Sequence, residues 1–152
     1  MSRLLVLGLG NELLADDAAG VLAARAVAAT LGSAPVGQWT RVHVADSSLS
    51  GLALLEYFVG FDRAIVLDAI HTGKHPPGTI LEIDAMRLGR VVAPSPHYAG
   101  LPELFEVASR LGLQFPAQTL ILALEVADPH TIGGALTPAV QAAVPELARR
   151  CL

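Results

Sequence analysis

Residues 4–20 read LLVLGLGNELLADDAAG, an apolar run followed by a glycine-containing turn, an acidic pair and the start of a helical pattern. The apolar run at 4–7 is typical of a strand that is buried on both faces. Either Asp16 or Asp17 can cap a helix that continues to about Leu31, because aspartate is a favoured N-cap residue. A buried strand followed by such a helix indicates a parallel α/β sheet.

The rest of the chain continues this alternation and predicts a three-layer α/β/α sandwich with a five-stranded, mostly parallel sheet, in one domain over residues 1–152. The strand at 79–83 is expected to be antiparallel, because a proline-rich loop leaves no room for a crossover helix before it. In the last helix, Thr137 is the expected N-cap, and Pro145 is expected to kink or restart the helix. The predicted sheet strands are 4–7, 42–44, 65–67, 79–83 and 120–124, and the predicted helices after the first are 52–58, 101–111 and 137–150.

Composition excludes several classes of protein. Hydrophobic residues make up 53% of the 152 residues and charged residues 16%, which argues against disorder. The net charge of −4 argues against binding of nucleic acid, which relies on an excess of basic residues. Neither a signal peptide nor a membrane-spanning run is evident, so we expect a cytoplasmic protein without membrane insertion. The single cysteine, Cys151, stands next to the last residue, which argues against a catalytic thiol.

The polar residues that follow the predicted strands are the candidates for a site, because ligands of open α/β sheets bind beyond the carboxyl ends of the strands. The acidic pair follows the first strand, Asp46 the second and Asp68 the third, and His97 lies in the loop before the 101–111 helix. Asp68 can also be a simple turn cap, and His97 an ordinary loop histidine. One of the acidic pair is sufficient as a cap, so the second needs another explanation. Two carboxylates and one imidazole suit a divalent first-row metal with open coordination positions.

Other kinds of site find little support in the sequence. The Gly8-x-Gly10 turn lacks the third glycine of the dinucleotide fingerprint, and its aspartates would repel a pyrophosphate. A P-loop, a Gly-x-Ser-x-Gly elbow and a His-Glu-x-x-His motif are all missing from the sequence. No side chain can be identified as a general base.

Four blocks in order resemble the hydrogenase maturation endopeptidases, and the resemblance covers nearly the whole chain. The first block is the stretch at 8–20, with its Gly-x-Gly-Asn turn, acidic pair and helix glycine. The others are Asp46 with Gly51, the IVLDA run at 65–69 with PGT at 77–79, and SPHYAGL at 95–101. The resemblance implies that Asp17, Asp68 and His97 are the catalytic and metal-binding residues. Beside them, we expect Asp16 to cap the helix and orient Asp17, and Asp46 to line the cleft.

The resemblance also implies an activity. Such enzymes remove a C-terminal extension from the hydrogenase large-subunit precursor after nickel insertion, and the nickel is carried by the substrate. The chain is then expected to be a monomeric, aspartic-type-like endopeptidase that uses metal-assisted hydrolysis and, when isolated, binds nickel or another divalent metal weakly. Two alternatives remain open from the sequence: a non-catalytic chaperone that checks for nickel, or another metallopeptidase on the same fold.

Overall fold

The computed structural model describes residues 3–31, 41–85 and 101–151, and within these ranges five strands form one sheet with helices on both faces. Short 3₁₀ turns at Ala15–Ala18 and Gly51–Leu54 lead into the first two helices. The strands are β1 (Arg3–Leu9), β2 (Arg41–Ser47), β3 (Arg63–Ile70), β4 (Ile80–Asp84) and β5 (Gln118–Glu125), and the helices are α1 (Ala19–Leu31), α2 (Leu55–Phe58), α3 (Leu101–Arg110) and α4 (Pro138–Arg149).

The strand order is β2-β1-β3-β5-β4, and only the pairing of β4 is antiparallel among these strands. The antiparallel strand predicted at 79–83 is thereby confirmed. Its partner is β5 rather than β3, the strand that precedes it in the chain. β5 therefore lies between β3 and β4, and β4 forms an edge of the sheet.

The two faces of the sheet bury separate apolar clusters, as the alternation of side chains along each strand requires. On one face Leu5, Leu7 and Leu9 of β1 belong to a cluster with residues of α2 and α3. On the other face Leu4 and Val6 belong to a cluster with residues of α1 and α4. The predicted three-layer α/β/α sandwich is confirmed by this arrangement.

Helix α4 contains Pro145 but runs without a break from Pro138 to Arg149, so it does not restart there, and the alternative of a kink stays a prediction. Proline removes the hydrogen bond to the carbonyl of Gln141, four residues earlier. Both Pro145 and Gln141 are exposed, so water can hydrate that carbonyl. Among the residues that the structure describes, no helix has the length and apolar character needed to cross a membrane.

Candidate active site

The topology places a crevice at the carboxyl ends of β1 and β3. From β1 the chain crosses through α1 to β2 at one edge, and then returns past β1 to β3 on its other side. The chain therefore leaves β1 toward one edge of the sheet and continues from β3 toward the other edge. The boundary between β1 and β3 is a topological switch point, where open α/β sheets bind ligands. Asp17 follows β1 and Asp68 lies in β3, so both belong to the two strands that meet there.

The turn after β1 holds Asp17 in a defined position. Gly10 has φ +152°, and a Cβ at this residue would lie 2.1 Å from the carbonyl oxygen of Asp17, so only glycine fits. The backbone N–H of Asn11 donates to the Asp17 carboxylate at 2.9 Å. The Asn11 side-chain oxygen accepts the N–H of Leu13 at 2.9 Å, which closes the turn. The Gly-x-Gly-Asn motif therefore orients the second aspartate of the acidic pair.

Helix α1 begins directly against the ends of β1 and β3. A Cβ on Gly20 would lie 2.3 Å from the carbonyl oxygen of Leu67 and 2.5 Å from that of Leu9. Gly8 is equally restricted, because its Cβ would lie 2.4 Å from the Gly20 carbonyl oxygen. The glycines of the motif thus allow the helix that follows Asp17 to contact the backbone immediately before Asp68.

Asp68 is fully buried near the end of β3. Its carboxylate accepts the backbone N–H of Ala69 at 2.8 Å. β3 continues for two residues beyond Asp68, so this aspartate lies within the strand rather than after it. A buried carboxylate is costly unless it has hydrogen-bond partners or a metal.

A cavity of about 440 Å³ lies at this crevice. Asp17 lines it, and so do the residues that directly follow Asp68 and those that follow β5. The structure thus brings Asp17 and the end of the Asp68 strand to one crevice. The lining residues are Asn11, Leu14, Asp17, Ser48, Ala69, Ile70, His71, Val126, Pro129 and His130.

A neighbouring cavity of about 580 Å³ lies beyond the ends of β1 and β2, and Asp46 lines this cavity rather than the one that Asp17 lines. Two acidic residues line this cavity, and Arg25 of α1 forms a salt bridge with each. One guanidinium nitrogen lies 2.9 Å from Glu12 and another lies 3.3 Å from Asp46. The hydrogen bond from Arg25 holds the pKa of the Glu12 carboxyl below its ordinary value. Asn11 and Ser48 line both cavities, so the two are adjacent.

Asp16 does not cap α1, and this prediction is wrong. Its fully buried carboxylate accepts the backbone N–H groups of Ala127, Asp128 and Thr137 at 2.7–3.0 Å, and the Thr137 hydroxyl at 2.8 Å. Thr137 is the N-cap residue of α4, as predicted, but its side chain bonds to Asp16 instead of to its own helix. Asp16 therefore connects the turn before α1 with the end of β5 and the start of α4.

His97 lies outside the described residues, as does the rest of the SPHYAG segment. Within residues 3–31, 41–85 and 101–151, no three His, Cys, Asp or Glu side chains are grouped closely enough to hold a metal. The predicted set of Asp17, Asp68 and His97 therefore stays a prediction. The two carboxylates that are described supply oxygen donors of the kind that a divalent first-row metal accepts.

Cys151 has no catalytic character. It lies buried in the turn that follows α4, and burial raises the pKa of its thiol to about 12. A thiol with such a pKa remains protonated at neutral pH and is a poor nucleophile. This agrees with the prediction from its position in the sequence.

The crevice also contains three polar residues that were not predicted as site residues: Asn11, His71 and His130. Asn11 is part of the Gly-x-Gly-Asn motif, and its position before the acidic pair could have indicated a site residue. His71 follows Asp68 by three residues, which is a second such signal. His130 has no local signal, because the fold alone brings the segment after β5 beside the end of β3.

Comparison with known proteins establishes the family. The family model described as hydrogenase maturation protease matches residues 27–152. The chain belongs to the hydrogenase maturation protease family. It is 34% identical over 149 residues to the hydrogenase 2 maturation protease of Escherichia coli K12, covering 93% of this chain and 84% of that protein. It is 32% identical over 146 residues to the hydrogenase expression/formation protein HupD of Rhizobium leguminosarum bv. viciae, covering 94% of this chain and 69% of that protein.

Solved structures of this family have the same fold. The hydrogenase maturating endopeptidase HybD from Escherichia coli superposes with a TM-score of 0.74 at 27% identity, covering 99% of this chain and 90% of that one. The [NiFe] hydrogenase maturation protease HybD from Thermococcus kodakarensis gives a TM-score of 0.70 at 24% identity, covering 98% and 96%. Family membership makes this chain a hydrolase of peptide bonds, which favours cutting over the non-catalytic chaperone.

Proposed function

We propose that this chain is a metal-assisted endopeptidase that removes the C-terminal extension of a nickel-loaded hydrogenase large-subunit precursor. The observation that carries the proposal is the position of Asp17 and the end of the Asp68 strand at one crevice, at the switch point of the sheet. The relatives named above are maturation proteases of hydrogenases, which supports a hydrogenase subunit as the substrate.

Asp17, Asp68 and His97 are the proposed contacts to nickel, which belongs to the precursor rather than to the protease. Asp17 is held by the Asn11 N–H and Asp68 by the Ala69 N–H. An ionised carboxylate has two oxygens that accept hydrogen bonds or bind a metal, which is the chemistry that this role requires. A metal in such a site polarises a carbonyl or lowers the pKa of a bound water. On this proposal only a precursor that carries nickel completes the site.

The pair of adjacent cavities offers room for an extended segment of the precursor. The segment would cross from the Asp17 crevice into the larger cavity beside Asp46, passing Asn11 and Ser48, which line both. Leu13 and Leu49 are exposed at the wall of the larger cavity and suit apolar side chains of a peptide. The Arg25 bridge between Glu12 and Asp46 fixes the acidic part of this wall.

We further propose that the enzyme acts as a monomer in the cytoplasm, and that its chemistry resembles that of aspartic-type peptidases in relying on carboxylates. The absence of a membrane-crossing helix among the described residues is compatible with this location. Light scattering of the purified chain tests the monomer directly, and a dimer mass would contradict it.

The decisive experiment incubates the purified chain with nickel-loaded precursor and follows loss of the C-terminal extension by mass spectrometry. Asp17→Asn, Asp68→Asn and His97→Ala should each slow cleavage by about 10–100-fold or more, because the first two weaken a ligand by removing its charge and the third removes a ligand. The matched control is Glu82→Gln, which removes an exposed carboxylate from the edge strand β4 and should cleave at the normal rate. Tight binding of the precursor by the unaltered chain without any cleavage would contradict the proposal.

A further inference from the structure

Two histidines from different loops meet at the crevice. His71 follows β3 and His130 follows β5, and their ring centroids lie 6.1 Å apart with the planes at 70°. Both side chains are exposed, and both line the 440 Å³ cavity that Asp17 also lines. The resemblance to the family assigns no role to either residue.

Hydrogen bonds fix the two loops that carry these histidines. Next to His71, Thr72 donates both its backbone N–H and its hydroxyl to the buried carboxylate of Glu125 at the end of β5. The backbone N–H groups of His130 and Thr131 donate to the Asp128 carboxylate at 3.0 and 3.1 Å. These hydrogen bonds hold the loops beside the two histidines, whose exposed side chains line the cavity.

The separation of the rings suits a shared metal ion. With bonds of about 2.0–2.1 Å from metal to imidazole nitrogen, two rings on one ion have centroids roughly 5–6 Å apart, depending on the angle at the metal. The observed 6.1 Å requires only a small side-chain rotation to reach that range. Imidazole is a good ligand for zinc, copper and nickel. Two ligands leave further coordination positions for water or for a donor atom of a bound peptide.

We propose that His71 and His130 form a second site for a divalent transition metal at the Asp17 crevice. Its ligands are not among Asp17, Asp68 and His97, and it does not depend on the function proposed for those residues. It holds the ion through one ring nitrogen of each histidine. An ion bound there faces the space through which a precursor peptide would approach Asp17.

The test measures zinc binding by isothermal titration calorimetry on the full chain carrying Asp17→Asn and His97→Ala, so that the first set of ligands is disabled. This chain should bind one equivalent of zinc. Adding His71→Ala or His130→Ala should weaken the affinity about tenfold or more, since even residues that only support a ligand contribute 10–100-fold. Both histidines are exposed, so circular dichroism should show an unchanged fold.

His75 provides the matched control, because it is an exposed histidine of the same loop, four residues after His71, and does not line the cavity. His75→Ala in the same background should leave the affinity for zinc unchanged. Absence of zinc binding in the starting chain, or equal loss of affinity with His75→Ala and His71→Ala, would overturn the second site. Neither result bears on cleavage of the precursor, which the Asp17, Asp68 and His97 variants test separately.

Discussion

The adjacent aspartates Asp16 and Asp17 have different surroundings, although they are identical in chemistry. Asp16 is fully buried and accepts four hydrogen bonds from residues 127, 128 and 137. Asp17 is partly buried, bonds to the Asn11 N–H and lines the crevice. The first therefore supports the structure of the site, and the second lies at the wall of the crevice.

Asp16→Asn should lower the free energy of unfolding by about 2–4 kcal/mol, because hydrogen bonds to a buried charge are weakened and an amide N–H₂ group faces other donors. Asp17→Asn keeps an oxygen that can accept the Asn11 N–H, so its free energy of unfolding should fall by about 1 kcal/mol or less. Urea unfolding of both variants measures the difference. Equal destabilisation by the two substitutions would refute the separate roles.

Cys151 should make stability fall at alkaline pH. In the unfolded chain its thiol has a pKa near 9.0, whereas burial raises the pKa to about 12 in the folded protein. Between these values the unfolded chain has lost the proton that the folded chain keeps, so unfolding becomes more favourable as pH rises. Below pH 9 both states are protonated and the effect is absent.

The measurement for Cys151 compares the free energy of unfolding at pH 8 and pH 10.5 in the native chain and in Cys151→Ala. The native chain should lose more stability over this interval, because other groups that titrate there are common to both proteins. A thiol reagent should also react with the native chain only at the rate of unfolding. Identical pH profiles for the two proteins would show that burial does not hold the proton.

At the scale of elements, the contact between α1 and the sheet determines where the site lies. The Gly20 Cα position has backbone oxygens on two sides, from Leu67 and Leu9, and both belong to strands that end at the crevice. Any side chain there would push the start of α1 away from the strands. Asp17 precedes this glycine by three residues, so the displacement would move a proposed ligand.

Gly20→Ala should lower the free energy of unfolding by about 3 kcal/mol or more, because the added methyl collides with backbone that cannot rotate away. The control is Gly112→Ala, which has φ +66° and open space around the added Cβ, and it should cost only about 1–2 kcal/mol of backbone strain. Precursor cleavage should also fall in Gly20→Ala and not in Gly112→Ala. Equal losses of stability would mean that the close approach is not essential.

Local patterns were sufficient to predict most elements, because buried strands and their turns leave short-range signals. The apolar run before Gly8, the IVLDA run and the proline-rich loop before β4 each indicated the correct element. The partner of β4 was not predictable, since strand pairing depends on contacts far apart in sequence. The start of α1 was also misplaced, because a 3₁₀ turn at Ala15–Ala18 precedes the helix.

In the candidate site, too, only the residues with local sequence signals could be predicted. Asp17 and Asp68 follow from the motif and from strand ends, which are local features. The role of Asp16 depends on residues 111–121 positions later, and the approach of His71 to His130 depends on the pairing of β3 with β5. Neither contact has a signal in the neighbouring sequence.

At the scale of the whole molecule, cleavage should require nickel in the precursor. A precursor prepared without nickel should remain uncut under conditions in which the loaded precursor is processed, because on the proposed function the nickel of the precursor completes the site. Mass spectrometry of the two reactions gives the comparison. Full cleavage of the nickel-free precursor would show that the metal is dispensable.

The isolated chain should also bind metal weakly at Asp17, Asp68 and His97. Calorimetry on a chain carrying His71→Ala and His130→Ala measures this set alone, without the second site proposed here. Tight, stoichiometric zinc in that variant would indicate an ordinary metallohydrolase with a resident ion. Weak binding is the expected result, because on the proposed function the precursor supplies the remaining coordination of the metal and the protease contributes only three ligands.

The bonds of Asp16 have a consequence for how the protein is made. Asp16 in the turn before α1 emerges from the ribosome well before its hydrogen-bond partner Thr137, which is synthesised 121 residues later. Chains grow from the N-terminus, and contacts across such a separation form late in folding. A nascent chain can therefore assemble β1 and α1 while its crevice is still unformed. Peptidase activity should therefore arise only once synthesis has passed the start of α4.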